Sequence, residues 1–176
     1  MNQYSTSIIL IGMPGAGKST IGVMLAKALA KDFIDTDVLI QLRQGKTLQD
    51  IVDTEGYLAL RGIEEQVLID THYPNHIIAT GGSAVYSEKA MQHLRHFGPI
   101  VFLDLALNEL STRIKDFDSR GLARKPNQSL AELYDERRML YQKYATITIN
   151  CNGKNQEDIL AEIIYEEAEA YTEKDA

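Results

Sequence analysis

Residues Gly12 to Ser19 read GMPGAGKS: three glycines, a lysine and a hydroxyl at the spacing G-x-x-x-x-G-K-[ST]. They follow the apolar run IILI and open a helical period at Ile21, Met24, Leu25, Ala28 and Leu29. The chemistry these residues suit is the capture of a polyphosphate. Gly12, Gly15 and Gly17 permit backbone angles and close approach that a Cβ would forbid. With Ala16 and Thr20 completing the turn, successive amides form an anion cradle at the positive end of a helix dipole. Lys18 then reaches the β- and γ-phosphates of ATP, and the Ser19 hydroxyl can ligate Mg²⁺. A chance glycine-rich turn would explain the glycines but not the strand, the spacing and the Lys-Ser pair together. The N-K-x-D guanine reader of GTPase switches does not occur.

Other residues carry weaker signals. Asp35 and Asp37 lie two apart, so an extended segment projects them to one side. Adjacent carboxylates repel, which invites a cation or a donor; capping aspartates before a helix are the plainer reading. Arg137 falls at the centre of the helical stripe Leu130, Leu133, Tyr134, Leu140, Tyr141, Tyr144, while Arg138 falls toward its edge. An arginine there calls for an anion held by its planar fork, unless a structural Asp or Glu satisfies it. Arg61 has Glu64 and Glu65 at i+3 and i+4, so a surface ion pair would account for it. Gly81 and Gly82 follow a strand, where they form either a flexible turn or a close backbone approach.

These residues need a scaffold, and the chain supplies the pattern of one. Strands are expected at Ser7–Ile11, Asp32–Asp35, Ile77–Thr80, Ile100–Leu105 and Thr146–Asn150, with helices between them and a last helix from Gln156 that frays into EEAEAYTEKDA. Strand-helix alternation implies a three-layer α/β fold, a short parallel sheet covered on both faces, with ligands at the carboxyl ends of its strands. One stretch interrupts the alternation. Asp116–Gln128 is polar and holds Gly121, Pro126 and the basic residues Arg120, Arg124 and Lys125, as a lid or a loose connection would. Arg120 is the candidate to close on a transferring phosphoryl group, whereas Arg124 and Lys125 read as solvated charges.

With 176 residues, one domain is expected, and 44% apolar content suffices for its core. The 25 acidic against 18 basic residues give a net charge of −7, which disfavours nucleic acid and anionic membranes as partners. Cys151 has no second cysteine to pair with. The N-terminal run is too short for a signal peptide and no stretch would span a bilayer. A soluble, cytoplasmic monomer is expected. His72, His76, His93 and His96 show no ligand spacing and receive no role.

Six motifs in order resemble the shikimate kinase family over nearly the whole chain. The phosphate loop is followed by Asp35-Thr36-Asp37 for D-[ST]-D and by Gly45-Lys46-Thr47-Leu48-Gln49-Asp50-Ile51 for G-x-[ST]-I-x-[DE]-I. Leu60-Arg61-Gly62-Ile63-Glu64 stands for F-R-x-x-E, Thr80-Gly81-Gly82-Ser83 for the G-G-G turn, and Arg137-Arg138-Met139-Leu140-Tyr141 for R-x-P-L-Y. Arg120-Gly121-Leu122-Ala123 occupies the place of the lid's R-P-L-L. The resemblance implies a P-loop fold with an acceptor-binding region at about 36–72 and a lid at about 116–128, phosphorylating the 3-hydroxyl of shikimate with ATP and Mg²⁺. It implies that Asp35 holds Mg²⁺ through water beside Ser19, and that Asp37 binds and orients or deprotonates the acceptor hydroxyl. Arg61 and Arg137 would take the carboxylate, Gly81 and Gly82 would approach the ring, and Arg113 would lie against adenine. Ser83, the altered lid and Met139 depart from the pattern, and the first two border the acceptor. A kinase of another hydroxy acid such as gluconate, or a nucleotide-binding regulator without catalysis, are the alternatives.

Overall fold

The computed structural model describes residues 6–115 and 117–172; the expectations that fall on the first five residues, on Asp116 and on the last four lie outside it. Five short strands form one parallel sheet in the order β2-β3-β1-β4-β5, with β1 at Ile8–Ile11, β2 at Asp32–Asp35, β3 at His76–Ala79, β4 at Ile100–Asp104 and β5 at Ile147–Asn150. Every residue of β1 is fully buried, which is what a continuous apolar run achieves when helices cover both faces. Each such isoleucine contributes about 1.5–3 kcal/mol to holding the centre of the sheet in place.

Among the described residues, eight α-helices surround the sheet: α1 (Lys18–Leu29), α2 (Thr36–Gln44), α3 (Leu48–Glu55), α4 (Tyr57–Ile69), α5 (Glu88–Arg95), α6 (Leu107–Arg113), α7 (Leu130–Tyr144) and α8 (Gln156–Thr172). The face that α1 buries is Ile21, Gly22, Leu25 and Ala26, so the expected Ala28 is exposed. Gly22 turns inward because Phe33 of β2 lies against it; a Cβ there would meet the phenyl ring at 2.5 Å. α7 is the amphipathic element the sequence predicts, with Leu133, Arg137 and Tyr141 on its buried line.

Two apolar clusters share the work. The main one runs along the sheet. A smaller one gathers Ile40, Ile51, Leu60 and Val67 from α2, α3 and α4, and Ala123 of the lid inserts into it. The helices α2, α3 and α4 therefore have a satellite core of their own, and the segment that holds Ala123, the one expected to be a lid, packs on it. Gly121, at φ 64°, approaches so closely that a Cβ would meet the Gln49 amide nitrogen at 2.5 Å, while its own N–H donates to Gln49 Oε1 at 2.6 Å.

Candidate active site

Sheet order fixes where the motifs meet. β1 lies between β3 and β4, and Asp35 is in register with Ala79. The carboxyl ends of β2, β3 and β1 therefore present Asp35, the Thr80–Ser83 turn and the Gly12 loop side by side. Together with the lid they enclose a cavity of about 420 Å³.

The phosphate end is made of backbone. Gly12 (φ 146°) runs so near β4 that a Cβ would meet the Leu103 carbonyl oxygen at 2.9 Å. Gly17, at φ 102°, is the N-cap of α1, and no side chain caps that helix. α3 and α7, by contrast, carry complete capping boxes from Thr47 and Ser129. The first amides of α1 are thus left for an anion. Lys18 is folded back, with Nζ donating to the Gly12 and Met13 carbonyls at 2.8 and 3.0 Å. Burial lowers its pKa to about 8, against the pull of Asp37 and Asp35. Ser19 Oγ donates to Asp35 Oδ2 at 2.5 Å, and Asp35 Oδ1 receives the Asp37 amide at 2.9 Å. Asp35 is therefore both the N-cap of α2 and the neighbour of the loop hydroxyl, so capping does not take it away from the loop.

Thr20 and Arg120 also line the cavity. Arg113 borders both this cavity and a second groove formed with Ala16, Gly17, Thr20, Asn155 and Gln156, and it pairs with Glu109 at 3.8 Å. Arg124 faces elsewhere, over the Phe117 ring and onto the Gln128 carbonyl at 2.9 Å. Lys125 pairs with Glu136 at 3.0 Å. Lys125 thus ties this segment to α7.

The acceptor end is made of side chains. Arg137 is 1% exposed. Among the described residues no carboxylate forms an ion pair with it, and its Nε is unsatisfied. Its Nη2 instead donates to the Ala123 carbonyl at 3.0 Å. Arg61 donates to the same oxygen, from Nη2 at 3.0 Å and Nε at 3.3 Å. Glu64 does not account for Arg61, because it is buried and faces inward; Arg61 instead lies 4.0 Å from Glu136 Oε1, with its guanidinium 3.5 Å from the centroid of the Tyr86 ring. Arg138 turns outward and pairs with Asp104 at 2.7 Å, as its edge position predicts.

Between the two ends lie buried acids. Asp37 is pushed up to about 6 by burial and by Asp35. Glu64 is pushed up to about 7 by burial and by Asp37, and its Oε1 has no partner. Sequence reasoning gave Glu64 only the part of a surface partner for Arg61. A signal existed, since Glu64 sits four residues after Leu60 and three before Val67, on the buried line of α4. The glycines after β3 make room for charge. A Cβ on Gly81 would collide with Glu64 Oε1 and Asp37 Oδ1, and one on Gly82 would meet Arg137 Nη1 at 2.6 Å. The Gly81 amide itself donates to Thr36 Oγ1 at 3.1 Å, and the Gly82 carbonyl accepts from the Tyr141 hydroxyl at 2.6 Å.

Comparison with known proteins agrees with this geometry. The family model described as shikimate kinase matches residues 14–167. A shikimate kinase of Rippkaea orientalis is 40% identical over 162 residues, 90% of this chain and 86% of that one. One from Paracidovorax citrulli is 37% identical over 161 residues, 88% of each chain. A solved shikimate kinase of Acinetobacter baumannii, in complex with shikimate, superposes with a TM-score of 0.82 at 30% identity over 92% of both chains. A gluconokinase from Sinorhizobium meliloti, at 18% identity and a TM-score of 0.52, shares the fold. The chain belongs to the shikimate kinase family.

Proposed function

We propose that this protein transfers the γ-phosphoryl group of ATP to the 3-hydroxyl of shikimate. The observation that carries this reading is the convergence of Arg61 and Arg137 on a single oxygen, the Ala123 carbonyl. Two forks aimed at one acceptor point suit a carboxylate, and Arg137 lines the same cavity as the phosphate loop. An acceptor with an acid at one end and hydroxyls at the other fits between them.

In this reading the α1 amides, Lys18 and Arg120 hold the phosphates and neutralise charge that spreads over the transferring oxygens. Asp37, with its raised proton affinity, orients the attacking hydroxyl and takes its proton. Ser19 and Asp35 fit Mg²⁺: a hydroxyl and a carboxylate, both hard oxygen donors, already meet at the loop mouth. The ion, when bound, supplies positive charge to the phosphate oxygens. Arg113 and the groove beside it take the adenine. The lid excludes water, which would otherwise compete as acceptor. All of these residues come from one chain, which fits a single kinase domain, with an acceptor region at about 36–72 and a lid at about 116–128, acting as a monomer. The buried thiol of Cys151 suits a reducing cytoplasm.

The test is ADP release across a panel of hydroxy acids. Shikimate should be turned over and gluconate should not. Turnover of gluconate in preference would reassign the acceptor, and no ADP release with any acid of the panel would favour a regulator.

A further inference from the structure

Ser83 stands where the family pattern has a glycine, and nothing above gives its side chain a task. It is 8% exposed on the turn after β3, and its hydroxyl donates to Glu64 Oε2. Glu64 is 2% exposed, and its other oxygen, Oε1, is the unpartnered one. That oxygen lies against Gly81, where a Cβ would collide with it and with Asp37 Oδ1 alike. Two carboxylate oxygens from different helices thus converge beside one glycine, and Asp37, Glu64 and Ser83 all line the cavity. A bare buried acceptor atom is costly unless a ligand donor completes it.

We propose that Ser83 is a positioning residue, which ties down one oxygen of Glu64 so that the other faces the acceptor and receives a hydroxyl beside Asp37. The terminal torsion of a glutamate is broad, so a free carboxylate would sweep through many orientations. A hydrogen bond to Oε2 fixes Oε1. The inference rests on the acceptor reading above.

The groups facing Glu64 are Asp37 from α2, Ser83 from the turn, Arg137 from α7 and Lys18 from α1. Burial and Asp37 raise its proton affinity, while the Ser83 hydroxyl, Arg137 and Lys18 oppose them. Removing the hydroxyl therefore raises that affinity further. If ionised Glu64 is the form that receives the acceptor, the acid limb of the pH profile moves to higher pH.

The experiment is steady-state kinetics with shikimate and ATP for wild type, Ser83→Ala, Ser83→Gly and Ser83→Thr, across the pH range. Ala and Gly should raise KM for shikimate about three- to tenfold, leave KM for ATP unchanged and shift the acid limb of kcat/KM upward. Thr, which keeps the hydroxyl, should behave as wild type. The glycine variant guards against a crowding effect of the alanine methyl. An unchanged shikimate KM with an unshifted limb in both Ala and Gly would overturn the proposal, as would a Thr variant as impaired as Ala. A wild-type enzyme that turns over ATP with another acid and ignores shikimate overturns the acceptor reading itself.

Discussion

The two ends of the cavity hold charge by opposite means. At the phosphate end, glycines and an uncapped helix supply amides that are fixed by the fold and cannot move away. At the acceptor end, Arg61, Arg137, Asp37 and Glu64 are ionisable side chains carried on α2, α4 and α7, and Arg137 and Glu64 are buried. A backbone site is preorganised by local geometry and can be left empty at little cost. A side-chain site leaves buried charges that must find partners in the absence of ligand, and here the lid supplies one. The Ala123 carbonyl takes the donors of both arginines while its methyl enters the satellite core. Neutral dipole for charge is an incomplete exchange, which leaves Arg137 Nε and Glu64 Oε1 unsatisfied.

That contrast can be broken most directly at Lys18. Lys18→Ala should lower kcat by about 10³-fold while the melting temperature moves by no more than a few degrees, since the side chain bonds only to loop carbonyls. Activity within tenfold of wild type would mean the loop is not the phosphate site.

A double cycle sharpens the acceptor end. Arg137→Met with shikimate, and wild type with the carboxamide of shikimate, should each lose about 10²-fold in kcat/KM, because each strands a buried charge. Both changes together should cost much less than their product. Four values that multiply simply would make Arg137 a structural arginine.

The lid sits between the two regimes. Arg120→Ala should depress kcat by about 10²-fold with a smaller rise in acceptor KM, if Arg120, which lines the cavity, acts on the charge of the transferring phosphoryl group. Arg124→Ala should change kcat less than threefold, as its guanidinium packs on Phe117. The reverse order would exchange their roles.

The smallest effect concerns stability. Burial raises Glu64 from 4.5 to about 7 in the folded protein, so the folded state binds the proton more tightly than the unfolded chain. This contribution is fully present below about pH 4.5 and is lost as pH rises through about 7. Glu64→Gln has no proton to lose. In ligand-free protein it should melt a few degrees above wild type at pH 8 and close to it at pH 5. A difference independent of pH would show that Glu64 does not change its protonation in the folded protein between pH 5 and pH 8.

Legibility in the sequence follows the same division. The phosphate loop is a local motif whose spacing carries its own geometry, so Gly12, Gly17, Lys18 and Ser19 are readable directly. The sheet is readable because buried strands are short apolar runs, and each expected strand agrees with the structure to within a residue. Arg137 stands out because a charge at the centre of an apolar stripe contradicts its surroundings, and it is indeed buried. Arg61 and Glu64 are not separable by spacing alone. At i and i+3 they satisfy the rule for a surface pair, yet one faces Tyr86 and the lid while the other faces the cavity.

By itself, then, the sequence determined the layered α/β scaffold, the strand ends where chemistry occurs and the phosphate-binding loop, because each depends on contacts within a few residues or on simple periodicity. Tertiary structure decided the acceptor end. Which oxygen Arg61 and Arg137 share depends on a lid more than sixty residues from Arg61 along the chain. Whether Glu64 is a surface charge or a buried acid depends on the rotation of α4 against the turn after β3, which brings Ser83 to its carboxylate. Long-range packing sets such orientations, and no local pattern encodes them.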